Sequence, residues 1–229
     1  MKNIYPIDFK GLVLEGGKKI NLRHIVFDGP LKKNQVLVKL YYSGICGKQV
    51  EEYNFKMGKD KFIPHLLGHE GSGIVLDTGS NVKHVKNNDR VVLHWMKSKK
   101  GGDAQPASYR YKNRKKYINS GRITTFSEYS VVSSNRITKI SKKEDLKIAA
   151  LMGCCLTTGI GTVINQSKIK KKEKTLIVGA GGVGLSIIVG LKIIKNENIT
   201  VADIKNSNLK KAKTFKKIKT LNLLKENIK

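Results

Sequence analysis

The sequence predicts a β-rich N-terminal domain followed by a shorter, partial parallel α/β unit. Three observations carry this. Up to about residue 95 the chain holds short β-branched and apolar runs bounded by turn signals. After Ser141 the spacing becomes helical, and from Thr175 onward strand-like and helix-like runs alternate. Between the first such strand and helix stands Gly179-Ala180-Gly181-Gly182-Val183-Gly184. The 229 residues allow one large domain or two smaller ones, and 39% apolar residues suffice for a packed core.

In chain order, Gln35–Tyr42 and Gly73–Leu76 are rich in β-branched and apolar residues, and Arg90–Trp95 is a strong strand candidate. Gly16-Gly17, Asp28-Gly29-Pro30, Asp77-Thr78-Gly79 and Asn87-Asn88-Asp89 mark the turns between them. Lys97–Tyr117 is polar and basic, with Gly101-Gly102 and Pro106, and reads as a solvated loop. Strand character returns at Thr124–Val132 and Ile137–Ile140. Glu144–Leu156 has apolar residues at helical spacing, and Lys168–Lys174 is a charged connector. A strand (Thr175–Val178), a glycine turn, a helix (Val183–Lys195), a strand (Ile199–Ala202) and a basic helix (Asn206–Lys217) complete a β-α-β-α order. We place the domain boundary between residues 156 and 157.

The net charge of +28 raises nucleic-acid binding as a function class. Only six of the 45 basic residues are Arg, at 23, 90, 110, 114, 122 and 136. Readers of bases and phosphates favour Arg for its bidentate fork, and no zinc-finger, RRM or basic-zipper pattern is present. A Lys-, Asn- and Ile-rich composition carried on an ordinary enzyme accounts for the charge, so no specific nucleic-acid partner is expected. Three cysteines are too few and too odd for a disulfide scaffold. The N-terminus lacks the apolar core of a secretory signal, so a cytoplasmic protein is expected. The uncharged run Thr175–Leu191 is short for a membrane span and is cut by glycines, so no membrane association is expected.

The glycine run fits G-x-G-x-x-G in the strand-to-helix context of a dinucleotide site. Gly179 permits the tight turn, Gly181 lets the backbone approach a pyrophosphate, and Gly184 lets helix and strand pack closely. The helix N-terminus presents N–H groups to phosphates. Asp203 stands at the end of the strand that follows this helix. A carboxylate there accepts from a ribose 2′-OH and repels a 2′-phosphate, which favours NAD over NADP. Cys46, His69 and Cys154 each sit beside glycines, and their wide, unequal spacing by itself defines no site. Two thiolates, one imidazole and an open position make a catalytic zinc centre if they converge.

The segments GICGKQ, HLLGHEGSGIV, NDRVV, TTFSEYSVV, GCCLTTGIG and GAGGVG…VAD occur in that order. Together they resemble the zinc-dependent medium-chain alcohol dehydrogenases over roughly Leu31 to Lys213. The resemblance implies a GroES-like catalytic domain, then a Rossmann domain, and hydride transfer between NAD and a polyol, sugar-like or simple alcohol. It implies one catalytic zinc on Cys46, His69 and Cys154, with Glu70 beside it. Gly179, Gly181, Gly182, Val183, Gly184, Thr158 and Asp203 would bind the cofactor, with Val183 behind the nicotinamide ring. Trp95 would fall where the family has a substrate-pocket aromatic, and a full-length protein would form a homo-oligomer. Relatives usually carry Ser or Thr two residues after the first zinc Cys, as a proton relay, and then Asp; this chain has Lys48 and Gln49. Lys97–Tyr117 contains no Cys, so no structural zinc is expected there. The stretch from Lys174 to Lys229 is too short for two βαβαβ halves, and the tail offers at most one strand beyond Thr175–Val178 and Ile199–Ala202. The sequence therefore reads as C-terminally truncated. That leaves a non-catalytic remnant as the alternative function, with little activity expected of the chain alone.

Overall fold

The computed structural model describes residues 4–56 and 58–225. Two compact units divide the chain, Met1–Cys154 and Cys155–Lys229. The division falls two residues before the expected boundary, where Cys154 leaves helical geometry at φ −150° and ψ −67°.

In the first unit the strands are β1 (Ile7–Gly16), β2 (Lys19–Phe27), β3 (Gln35–Ser43), β4 (His65–Leu66), β5 (Gly71–Thr78), β6 (Arg90–Leu93), β7 (Tyr109–Tyr111), β8 (Tyr117–Ile118), β9 (Tyr129–Ser133) and β10 (Ile137–Lys139). Helix α1 (Gly47–Tyr53) follows β3, and α2 (Leu146–Ala150) follows β10. The strands form two five-stranded sheets, in the orders β4-β1-β2-β7-β8 and β10-β6-β5-β3-β9, with antiparallel pairing throughout. Phe9, Val13, Ile25, Phe27, Leu37 and Tyr109 meet in one apolar core, and Val36, Val38, Val75, Val91, Leu93 and Val132 in another. Alternation explains the division. Along β3, Leu37 joins the first core while Val36 and Val38 join the second, as a period of two requires.

Lys97–Tyr117 is not simply a solvated loop. It contains β7, whose Tyr-Arg-Tyr alternation buries Tyr109 and Tyr111 and leaves Arg110 to pair with Asp28 at 2.9 Å. The Tyr109 hydroxyl accepts from the Val131 N–H at 2.9 Å, and the Tyr111 hydroxyl donates to Glu15 at 2.8 Å. Glu15 also accepts from Arg23 and Asn21, and these donors, Arg23 foremost, hold its carboxyl down at about 2. The predicted helix over 144–156 is shorter than expected. After α2 the chain tightens into a 3₁₀ turn, Leu151–Gly153, and Gly153 packs against the backbone of Leu93 and Glu70.

The second unit begins with α3 (Cys155–Gly161) and a π-helical turn, Thr162–Ser167. It continues with β11 (Thr175–Val178), α4 (Gly182–Ile193), β12 (Ile199–Asp203), α5 (Asn206–Ala212) and β13 (Ile218–Asn222). The three strands are parallel in the order β11-β12-β13. Ile177, Ile188, Leu191, Ile199, Val201 and Leu209 form its core. The basic helix predicted to run to Lys217 stops at Ala212, and β13 supplies the one further strand that the tail could offer. Residues 226–229 of that tail lie outside the described residues. Among the described residues no single helix is long and apolar enough to cross a membrane.

Candidate metal centre and dinucleotide site

The first unit brings Cys46, His69 and Cys154 together. Their ligand atoms all lie within 4.8 Å of one another. Cys46 precedes α1 in extended geometry, φ −90° and ψ 154°. His69 lies between β4 and β5, and Cys154 ends the 3₁₀ turn after α2. Glu70 fills the space behind them at 2% exposure. A Cβ at Gly44 would stand 2.6 Å from Glu70 Oε1, and one at Gly153 would stand 2.8 Å from Glu70 Cα. The bare backbone at these two positions lets both cysteine-bearing segments close on Glu70, the residue after His69. The Gly44 N–H donates to the Glu70 carbonyl at 3.1 Å and fixes that approach.

His69 Nε2 is buried with no hydrogen-bond partner. An isolated buried polar atom costs free energy unless something satisfies it, and the His69 ring shares this cluster with two cysteine sulfurs. Burial also holds the His69 pKa below its usual value, which favours the neutral ring that a metal requires. The donor set and the orphaned nitrogen therefore fit a zinc ion. Gln49, 5% exposed, stands on the other side of the ring, with its Nε2 2.8 Å from His69 Nδ1. Its Oε1 accepts from the Cys46 N–H at 3.2 Å.

Lys48 points elsewhere. Its Nζ lies 3.5 Å from the Glu51 carboxylate, and its side chain is 42% exposed. It lines a cavity with Glu51, Glu52 and Phe55, whereas His69 and Gln49 line a larger one of about 630 Å³ with Asp60, His65, Asn119 and Arg122. Within the larger cavity His65 Nε2 lies 2.8 Å from Asp60, and burial pushes the Glu52 carboxyl up. Trp95 does not line this cavity. It is 47% exposed and borders a different one with Met96, Lys97 and Arg136. His94, its neighbour, uses both ring nitrogens structurally, against the Met96 carbonyl and the Thr138 hydroxyl.

In the second unit the glycine run forms the turn between β11 and α4. Gly179 has φ +96°, a conformation glycine adopts freely. A Cβ on Gly184 would lie 1.9 Å from the Gly179 carbonyl oxygen, so helix and strand meet closer than any side chain permits. Gly181 caps α4 in extended geometry, and Gly182 begins the helix. Val183 is 41% exposed on the first turn of α4, and Thr158 is exposed on α3. The Asp203 carboxylate accepts from the Ala180 N–H at 2.7 Å, the Lys205 N–H at 2.7 Å and Asn208 Nδ2 at 3.1 Å. These donors, the Ala180 N–H first, hold its pKa below the ordinary carboxylate value. Asp203 thus anchors the glycine turn to the end of β12, a role its sequence position did not disclose.

The alcohol dehydrogenase GroES-like domain family matches residues 32–142. An S-(hydroxymethyl)glutathione dehydrogenase of Photobacterium damsela subsp. piscicida is 30% identical over 210 residues, covering 81% of this chain and 56% of the relative. Alcohol dehydrogenase 6 of Peromyscus maniculatus is 31% identical, with 81% and 55% covered. The chain thus spans a little over half the length of the curated relatives it matches. Among solved structures, a benzyl alcohol dehydrogenase of Acinetobacter calcoaceticus superposes with TM-score 0.82 at 25% identity, over 96% of this chain and 65% of that one. An alcohol dehydrogenase zinc-binding domain protein of Burkholderia ambifaria reaches TM-score 0.87 at 22% identity, over 97% and 66%, a likeness of fold. With the ordered motifs, the converging thiols and imidazole, and these relatives together, the chain, a β-rich GroES-like unit followed by a partial parallel α/β unit, is similar to the zinc-dependent medium-chain alcohol dehydrogenases.

Proposed function

We propose that this chain is the metal-holding and NAD-binding part of an oxidoreductase that moves a hydride between NAD and an alcohol, simple, polyol or sugar-like. The observation that carries the reading is the meeting of Cys46, His69 and Cys154 within 4.8 Å around a buried, unpartnered His69 Nε2. Cys46 and Cys154 would hold one zinc as thiolates and His69 through Nε2. Zinc, when bound, supplies Lewis-acid polarisation of an alcohol or carbonyl oxygen. Glu70, packed behind Gly44 and Gly153, keeps the ligand-bearing segments in place.

The turn from Gly179 to Gly184 orients N–H groups of α4 toward a pyrophosphate. Asp203 keeps part of its acceptor capacity after its three donors, and its negative charge disfavours a 2′-phosphate, so NAD is preferred over NADP. Val183 and Thr158 would contact the nicotinamide end of NAD. Lys48 Nζ lies 3.5 Å from Glu51, and an ammonium has donors but no acceptor, so the hydroxyl relay usual at this position is missing. The test is metal analysis of the purified chain with NADH absorbance on an alcohol panel. Stoichiometric zinc with turnover supports the reading. Zinc-free protein that binds neither metal nor NAD supports a non-catalytic remnant instead.

A further inference from the structure

We infer that Gln49 sets the ring tautomer of His69, and that without metal it holds the ring proton on Nε2, the nitrogen that zinc must displace. The inference rests on the zinc reading above and adds a barrier to metal loading built into this chain. A glutamine amide has one accepting end and one donating end. The Cys46 N–H can only donate, and it stands 3.2 Å from Gln49 Oε1, so the oxygen is committed to the backbone at the start of α1. The amide nitrogen is then the atom that faces His69 Nδ1, at 2.8 Å. It has no lone pair to offer, so Nδ1 must accept, and a neutral imidazole then carries its hydrogen on Nε2. That is the buried, unpartnered nitrogen among the two cysteine sulfurs.

A metal binds the unprotonated ring nitrogen, and the opposite N–H donates outward. Loading this site therefore requires the proton to move from Nε2 to Nδ1 and the amide to turn end for end. The turned amide brings its NH₂ against the Cys46 N–H, donor facing donor, and the N-terminal bond of α1 is lost. A carboxylate avoids the conflict, because one oxygen accepts from Cys46 while the other accepts from Nδ1–H. Gln49→Glu has the same length and shape and supplies that carboxylate. Gln49 is thus a positioning residue that lowers metal affinity.

The experiment uses the full chain with ¹⁵N-labelled histidine, stripped of metal, at a pH where the rings are neutral. The ring ¹⁵N shifts of His69, assigned by their loss in His69→Asn, report which nitrogen is protonated. Cobalt(II) alone, followed by absorbance, reports affinity. We expect Nε2–H in the wild type, Nδ1–H in Gln49→Glu, and cobalt bound roughly 10–100-fold more tightly by the variant. Gln49→Leu, which adds no charge and removes the amide donor, should lose the fixed Nε2–H state, which separates the tautomer from an added charge. Wild-type Nδ1–H, or cobalt bound by wild type and Gln49→Glu with the same measurable affinity, overturns the inference. If Gln49→Glu does not fold, the wild-type tautomer decides alone. Wild type that shows Nε2–H while the wild type and Gln49→Glu both bind no cobalt refutes the zinc reading and not the tautomer.

Discussion

Asp203→Ala removes one acceptor from three donors, but only one of those donors is sealed from water. Lys205 is exposed and Asn208 half-buried, so solvent replaces the carboxylate there. Ala180 is 1% exposed, and its N–H, which donates to Asp203 at 2.7 Å, is stranded. A buried donor left without a partner costs about 1–3 kcal/mol, and we expect about 2 kcal/mol for the alanine variant. Asp203→Asn keeps an oxygen for Ala180 but turns its NH₂ toward the Lys205 N–H, where water can intervene, and should cost about 1 kcal/mol. The pH dependence follows from the depressed pKa. The unfolded carboxyl takes up a proton first as pH falls, so this stabilisation is full above about pH 4 and is lost as pH drops through the lower folded value. Neither variant should show that loss. The assay is urea unfolding from about pH 7 to about pH 3, with hydrogen exchange at the Ala180 amide. An alanine variant within about 0.5 kcal/mol of wild type, with Ala180 exchange unchanged, refutes the anchoring role. In the same variants the ratio of NAD to NADP affinity should narrow, and a wild type that prefers NADP refutes the cofactor assignment.

Gly184→Ala places a Cβ 1.9 Å from the Gly179 carbonyl oxygen, so α4 must move off β11. A loss of about 1–3 kcal/mol and weaker NAD binding are expected, read by urea unfolding and by NADH fluorescence. Glu15→Gln should lower stability at neutral pH by about 1–2 kcal/mol, less than the full linkage value because Arg23 faces solvent. The folded carboxyl sits at about 2, so the wild-type advantage is present above about pH 4.3 and fades as pH falls toward about 2, whereas an advantage that persisted there contradicts the Arg23 pairing. Lys48→Ala, at an exposed pair with Glu51, should change stability by less than about 0.5 kcal/mol and leave the pH–rate profile unaltered. A shifted profile places Lys48 in the proton path.

Much of the candidate site was legible because its chemistry sits in short segments. The glycine turn, the Cys46 and His69 segments and the Gly-Cys-Cys at 153–155 each read from a few neighbouring residues. The tyrosines at 109 and 111 were harder. Their basic neighbours mask a very short period-two pattern, and Tyr109 finds its partner far along the chain at Val131. Helix α2 also looked longer than it is. The helical spacing of 144–156 carries no sign that Gly153 must close against Leu93 and Glu70.

By itself the sequence determined the β-rich then parallel α/β character, the strand–turn–helix–strand order from Thr175 to Ala202, the glycine turn and the residue types a zinc centre needs. These depend on local propensity and on chemistry carried by single residues. Only the tertiary structure decided that residues as far apart in the chain as Cys46, His69 and Cys154 converge, that Trp95 borders a different cavity from His69, and that the Asp203 carboxylate accepts from the Ala180 N–H. It also decided which end of the Gln49 amide faces His69, because that depends on a backbone N–H already claiming the other end. Such facts depend on direction and distance between segments far apart in the chain, and one-dimensional spacing does not encode them.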